Sequence, residues 1–549
     1  MRTIPKCLLL VFFLTGLSST KGQAQTVSAA SCNTSDVQNA INSATEGETV
    51  TIPSGTCTWT SGVTISGKGI ALRGAGSGRI IAYDTGASMV SIGTGSQIWT
   101  IAGYSPGFSA SSISVGETLR MFETNSDSNW MQGTVTSLVG STLTMNISST
   151  SGSGSTHRWL ISTLPSTVIV ANNSSAPLFA ITEDTSFHTN WSGIKIQAGS
   201  GDAQYITLSY ASGGQAILIH DCWMQNTEGS LDNIDSETSR GVVWNCSFDG
   251  SSANNNQLVT NSAIRIKIDS PASGQNAWIL PSYWGAADAT GQNNFYVETN
   301  DFHAWQAASD LDSNSRCVWR YNLMDSSTLA THGADTSNYG QRYFEFYDNT
   351  GNFNGYSDGS TFNIANGWVG LVRGGTFVVW GNTLPALTSS DYGTKADVQM
   401  LVMNLQRNAG PNPCWGDTHS TAGEYYYAPR QVGMGRVNGT GSTSYPPDDV
   451  NGSTDSITYV GDSEPAYIWG NSRQPLGNVE VTDYGTGNSD SCGGSPDSSA
   501  NYIQLNRDYF NGSTPKPGYT PYTYPHPLTQ SQSSGNLPAP PSNLAAAIQ

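Results

Sequence analysis

The expected fold is all-β: a parallel β-helix, a solenoid in which short strands stack coil upon coil. Three observations point there. The first is a repeated design, an apolar strand that breaks at once into a polar turn: "AILIHDCWM" centred on Cys222, "GVVWNCSF" on Cys246, "FYVETNDF" on Asn300, "CVWRYNLM" on Asn322, "FEFYDNTG" on Asn349 and "FVVWGNTL" on Asn382. These anchors stand 24, 54, 22, 27 and 33 residues apart, the spacing of structural repeats that bury their apolar faces only against their neighbours. The second is the alternation within each repeat. Three residues before the anchors stand Ile219, Val243, Val297, Trp319, Phe346 and Val379, and five before most of them a second apolar column, so both share one side of the strand and face the interior. The third is composition: 60 Gly and 12% charged residues in a chain of 549 suit a turn-rich β protein, while 15 Trp, 24 Tyr and 15 Phe exclude disorder. Helical repeats are excluded because no 3.6-residue apolar period fills the intervals.

At the N-terminus, Arg2 and Lys6 precede an apolar run from Leu8 to Leu14 and small residues lead to Gln25, which reads as a secretory signal peptide over residues 1–24. The run is too short for a membrane span, so the protein is expected outside the cytoplasm, extracellular or periplasmic. Without Arg2, Lys6 and Lys21, 20 basic residues face 41 acidic ones, a charge of −21 that disfavours a nucleic-acid partner. Export fits the cysteines. Cys32 and Cys57 flank a helix-then-strand unit and Cys414 and Cys492 lie in loop-like sequence, so both pairs are expected as disulfides. Cys222 and Cys246 read first as part of a small-residue corner ladder and second as a bridge between coils. With seven cysteines after processing, at least one is unpaired in a monomer, the expected state.

A short helix is expected from Ser35 to Ser43, capped by Ser35, with Val37, Ala40 and Ile41 on its apolar side. Here residues 35–76, "SDVQNAINSATEGETVTIPSGTCTWTSGVTISGKGIALRGAG", resemble the opening of pectate-lyase-like right-handed parallel β-helix proteins. The resemblance implies that the helix closes the solenoid end, that the solenoid is right-handed, and that the activity is a polysaccharide lyase or glycoside hydrolase. The coils should fill residues 25–530 with long loops. The 54-residue interval has room for two coils, with "SAIRIKIDS" as the missing strand. Residues 77–170 and 385–530 are β-rich but match loosely, and the Pro-rich 531–549 reads as a tail or linker stub.

Chemistry should sit on the outward residues. Two before the anchors stand His220, Trp244, Glu298, Arg320, Tyr347 and Trp380, a column of rings and charges suited to a sugar chain, unless a long loop packs over it. For a lyase, Arg320 or Arg342 would neutralise a uronate, His332 and Tyr347 would move protons, and Asp335 would pair with His332 on the rim. For a hydrolase, Glu298 and Glu345 are the candidate carboxyls, with Asp310 and Asp312. Trp244, Trp380, Arg342 and Arg430 are candidate substrate-binding residues. Asp310 and Asp312 together could bind Ca²⁺. The expected function is therefore a secreted carbohydrate-active protein, lyase before hydrolase, acting on an extracellular polysaccharide in a groove on the helix; a non-catalytic glycan-binding or adhesin protein is the alternative.

Overall fold

In the computed structural model the described residues run from 25 to 530, apart from internal stretches of which the longest are 251–258, 268–281, 332–340, 353–368, 384–400, 404–431, 438–460 and 482–502. The leader 1–24, the tail 531–549, Cys414, Cys492, His332, Asp335 and Arg430 lie outside the described residues.

Among the described residues, three parallel sheets of twelve, eight and ten strands run the length of the molecule. One coil shows the path. Phe295–Glu298 lies in the first sheet, Asp301–His303 in the second and Trp305–Leu311 in the third, after which Arg316–Arg320 returns to the first beside Phe295–Glu298. The fold is a right-handed parallel β-helix. Its interior holds the inward columns as expected: Ile219, Val243, Val297, Trp319, Phe346 and Val379 are all buried in one continuous core with Met224, Phe248, Phe302 and Met324.

The helix Thr34–Ser43 seats Val37, Ala40 and Ile41 against that core. Its N-cap is Asn33, two residues before the expected Ser35, and the Asn33 side chain makes no capping bond. The 54-residue interval is one coil, not two. Gly241–Trp244 pairs directly with Phe295–Glu298, and the supposed missing strand belongs to Val259–Ile266 of the third sheet. Cys222 and Cys246 form a disulfide between neighbouring coils, as Cys32 and Cys57 do near the cap, so the bridge prevails over the ladder at those two corners. Cys317 is free and buried.

At the remaining corners the ladder is asparagine. The Asn300 backbone N–H donates to Asn322 Oδ1 at 2.9 Å, Asn322 to Asn349 at 3.0 Å, Asn349 to Asn382 at 2.9 Å and Asn382 to Asn471 at 3.1 Å. Each side-chain amide also donates to a strand carbonyl of an earlier coil, Asn349 to Trp319 at 3.0 Å for example. A buried turn amide would otherwise go unpaired, and a chain of such bonds is mutually polarising. This is why an apolar strand can end in Asp-Asn-Thr without cost to the core.

Between Ala71–Gly74 of the first sheet and Thr167–Ala171 of the second, six antiparallel strands from Ile80–Asp84 to Trp159–Ser162 close into a barrel with its own core, including Trp99, Met121, Leu143, Met145 and Trp159. Its signature is the hairpin Ser126–Val139 and Thr142–Ser151, joined by Gly140-Ser141 with Gly140 at φ 60°, a two-residue turn. The barrel is pinned to the second sheet: Phe122 packs on Trp223, Ile80 N–H donates to Ser247 Oγ at 3.1 Å, and Arg79 pairs with Asp301 at 3.2 Å. Beneath it His303 lies between Asp301 and Asp325, each at 3.0 Å. Burial works against its charge, but those two hydrogen bonds outweigh it and raise it to about 10.

Candidate functional site

The barrel inserts at the corner between the first and second sheets, and therefore rises beside the column of such corners in later coils. The residue just before each anchoring Cys or Asn adopts a left-handed backbone to turn the chain. Glycine, Asn and Asp do this at little cost, and Asp221, Asn245, Asp348, Gly381 and Gly470 occupy the position in five coils. In two adjacent coils it is held instead by Thr299 at φ 60° and Tyr321 at φ 56°. A β-branched and a bulky residue in this region store strain of about 1 to 3 kcal/mol each, and such outliers cluster at functional sites.

Thr299, Tyr321, Asp348 and Gly381 line one wall of a cleft of about 790 Å³. Tyr83, Tyr104 and Pro106 of the barrel form the facing wall, and Tyr522, Thr523 and Tyr524 of the C-terminal segment close one side. The size is that of a small-molecule or oligomer site. Tyr321 packs against Tyr524 with ring centroids 3.7 Å apart and the planes tilted by 32°, and the Thr299 and Tyr524 hydroxyls are 2.9 Å apart. Asp348 is hydrogen-bonded by Tyr321. Burial pushes its carboxyl up to about 6, against the opposing effects of that bond and of Arg320. A side chain at position 381 would collide with it, since an added Cβ would sit 2.4 Å from Asp348 Oδ1; Gly381 thus serves both the turn and the carboxyl. The cleft combines ring faces, hydroxyls and one acid poised to hold or release a proton near neutrality.

The column two residues before the anchors does not line this cleft. Residues 519–530 cross the outer face of the first sheet and cover it. Arg320 is fully buried: Nε and Nη2 donate to Glu298 at 2.8 and 2.7 Å, Nη1 to the Tyr347 hydroxyl at 2.9 Å and the Tyr522 carbonyl at 2.7 Å, and Nη2 to the Thr523 carbonyl at 3.0 Å. Glu298 also accepts the His526 backbone N–H at 2.8 Å. Glu345 is buried in the same layer, accepting from Tyr519 at 2.6 Å and from Gly285 N–H at 3.1 Å, and burial pushes it up to about 7. Trp244 is buried against His220, and Trp380 is stacked between Tyr347 and Trp469. The loop packing over the column is thus the reading the geometry supports, and its carboxyls and rings are structural partners of the C-terminal segment.

The other expected groups stand apart. Arg342 is buried and pairs with Glu464 at 3.3 Å. Asp310 and Asp312 of the third sheet face Arg265, at 3.6 and 2.9 Å, so a guanidinium takes the place expected for calcium. No group of three or more His, Cys, Asp or Glu able to hold a metal occurs among the described residues. Nor is any helix among them long and apolar enough to cross a membrane. Sequence reasoning missed Asp348, Tyr321, Tyr524 and the barrel tyrosines. The first two were within reach, because aligning the coils gives Asp, Asn, Thr, Tyr, Asp, Gly before the anchors, and Thr and Tyr are the misfits.

No protein-family model matches this chain, and no curated protein matches it. Solved structures similar to it include three phage tailspikes. The tailspike gp54 of Acinetobacter baumannii bacteriophage AP22, in complex with A. baumannii capsular saccharide, is 11% identical over 82% of this chain and 76% of its own, with a TM-score of 0.25. The tailspike gp61 of Pseudomonas phage phi297 is 12% identical over 69% and 66%, with a TM-score of 0.17. The tailspike gp49 of Pseudomonas phage LKA1 is 12% identical over 82% and 69%, also at 0.17.

Proposed function

We propose that this is a secreted protein that binds and cleaves an extracellular polysaccharide in the cleft between barrel and β-helix. The observation that carries the reading is the strained pair Thr299 and Tyr321, which place side chains beside Asp348 where glycine or Asn would turn the chain more cheaply. Tyrosine faces stack on the apolar faces of sugar rings, and hydroxyls answer sugar hydroxyls. Protonated Asp348 is the donor to the bridging glycosidic oxygen as its C–O bond breaks, a role shared by hydrolysis and elimination. The resemblance of residues 35–76 to pectate-lyase-like proteins supports the same class of activity. Binding without cleavage is the second reading, because Asp348 is the one carboxyl among the described lining residues and glycosidases commonly use two.

The test is incubation of the exported protein with a polysaccharide panel, reading new reducing ends together with the ultraviolet absorbance of unsaturated uronates. Reducing ends released by the wild type and lost in Asp348→Asn, with polysaccharide binding kept in the variant, support cleavage. Binding with no ends released by either protein selects the second reading. Full turnover by Asp348→Asn overturns the assignment of the donor.

A further inference from the structure

We infer that the cleft accepts uncharged glycan chains and turns away polyanionic ones such as uronates; this rests on the reading of the cleft as a glycan site. Selectivity depends on which charges reach the cleft. Among the described lining residues Asp348 alone carries a charge near neutrality, and it is negative; the rest are tyrosines, threonines, prolines, glycines, Asn322 and Leu323. Across the cleft, Tyr83 feels the negative field of Asp325. The whole chain carries a formal charge of −18.

Arg320, its guanidinium carbon 5.5 Å from the Tyr524 ring centroid, is held beneath the segment that closes the cleft. It has nothing left to offer a sugar carboxylate. A guanidinium has five N–H groups. Here two are taken by Glu298, one by the Tyr347 hydroxyl and two by the Tyr522 and Thr523 carbonyls. Recognition of a carboxylate uses charge-assisted bonds, commonly the paired donors of a free arginine fork. A uronate would enter without one and lie beside Asp348. A neutral chain meets ring faces, the threonine hydroxyls and Asn322 with no charge of its own to be repelled by Asp348. Elimination, which starts from a carboxylate-bearing sugar, falls away with the uronate.

The test uses one oligosaccharide library in two forms, neutral and with its C6 hydroxymethyl groups oxidised to carboxylates, followed by saturation-transfer NMR and titration at low and high salt. Neutral members should bind independently of salt, and their oxidised counterparts about tenfold or more weaker, recovering in part at high salt or in Asp348→Asn. Tyr524→Ala on the segment and Tyr104→Ala on the barrel should each remove the neutral signal. Oxidised members that bind as well as neutral ones, or better, with loss at high salt and still sensitive to both tyrosine variants, overturn the inference but leave the cleft as the site. No signal from either form, or signals untouched by both variants, overturns the cleft reading and this inference together.

Discussion

Tyr347 belongs to the column on the outer face of the first sheet, and Asp348, the next residue, to the column at the corner. On the first column the charged groups are paired inside the protein: Arg320 holds Glu298, Tyr347 and two carbonyls of the C-terminal segment. On the second, Tyr321 and Asp348 share a bond with each other and face open space. Charges in register with aromatic rings do not by themselves make a binding groove. What distinguishes the second column is a left-handed backbone at Thr299 and Tyr321, where glycine or Asn would turn the chain more cheaply, beside a carboxyl that lines an open cleft.

The largest expected effect is on turnover. If the corner column does the chemistry, Asp348→Asn should lower the rate by about 10² to 10⁴-fold, the range for loss of one general acid, with little change in melting temperature. The rate of the wild type should fall as pH rises through about 6, since the protonated carboxyl is then lost. Next comes Arg320→Ala, which leaves Glu298 charged and buried. It should cost about 3 to 5 kcal/mol in urea unfolding and release the C-terminal segment to protease. Wild-type stability with lost glycan affinity would instead make the covered column the binding one and break the comparison.

A smaller effect is expected at Glu345, whose carboxyl burial pushes up to about 7 from its usual 4.5. The folded protein then holds this proton more tightly than the unfolded chain, so stability drops as pH rises through that window. Glu345→Gln cannot ionise and should gain on the wild type in melting temperature as pH rises from 4.5 to about 7, levelling off above that, while matching it below 4.5. A constant difference across the range would show that Glu345 does not titrate in the fold. The smallest effect sharpens the strain argument: Thr299→Asn should raise stability by about 1 kcal/mol, because Asn tolerates the left-handed backbone, while weakening glycan binding. A destabilised variant with unchanged binding would show that Thr299 is kept for its bond to Tyr524 alone.

Of the candidate site, the corner itself was legible. "YFEFYDNTG" announces a strand and a turn, and the alternation of Phe344 and Phe346 with Glu345 and Tyr347 sorts inside from outside correctly. Pointing out of the solenoid did not mean pointing into solvent. Val242, Tyr296 and Val318 of the same outer face are buried as well, beneath Tyr522 and Leu528. Strands covered on both faces read as nearly unbroken apolar runs, and "GVVW" and "FYVE" carry that signal.

The coil, its inward columns, the asparagine ladder and the apolar side of the capping helix are all written in residue order. These follow from period-two geometry and from the need to pair buried turn amides, both local rules that a repeat writes out many times over. Which outward residues are covered and which are reachable depends instead on chain distant in sequence. The segment that seals Arg320 lies 202 and 203 residues downstream of it, and the barrel wall that faces Asp348 comes from more than two hundred residues upstream. No periodicity connects such segments; they meet because the solenoid's outer face and corner leave apolar surface and unpaired donors that folding buries with whatever chain can reach them.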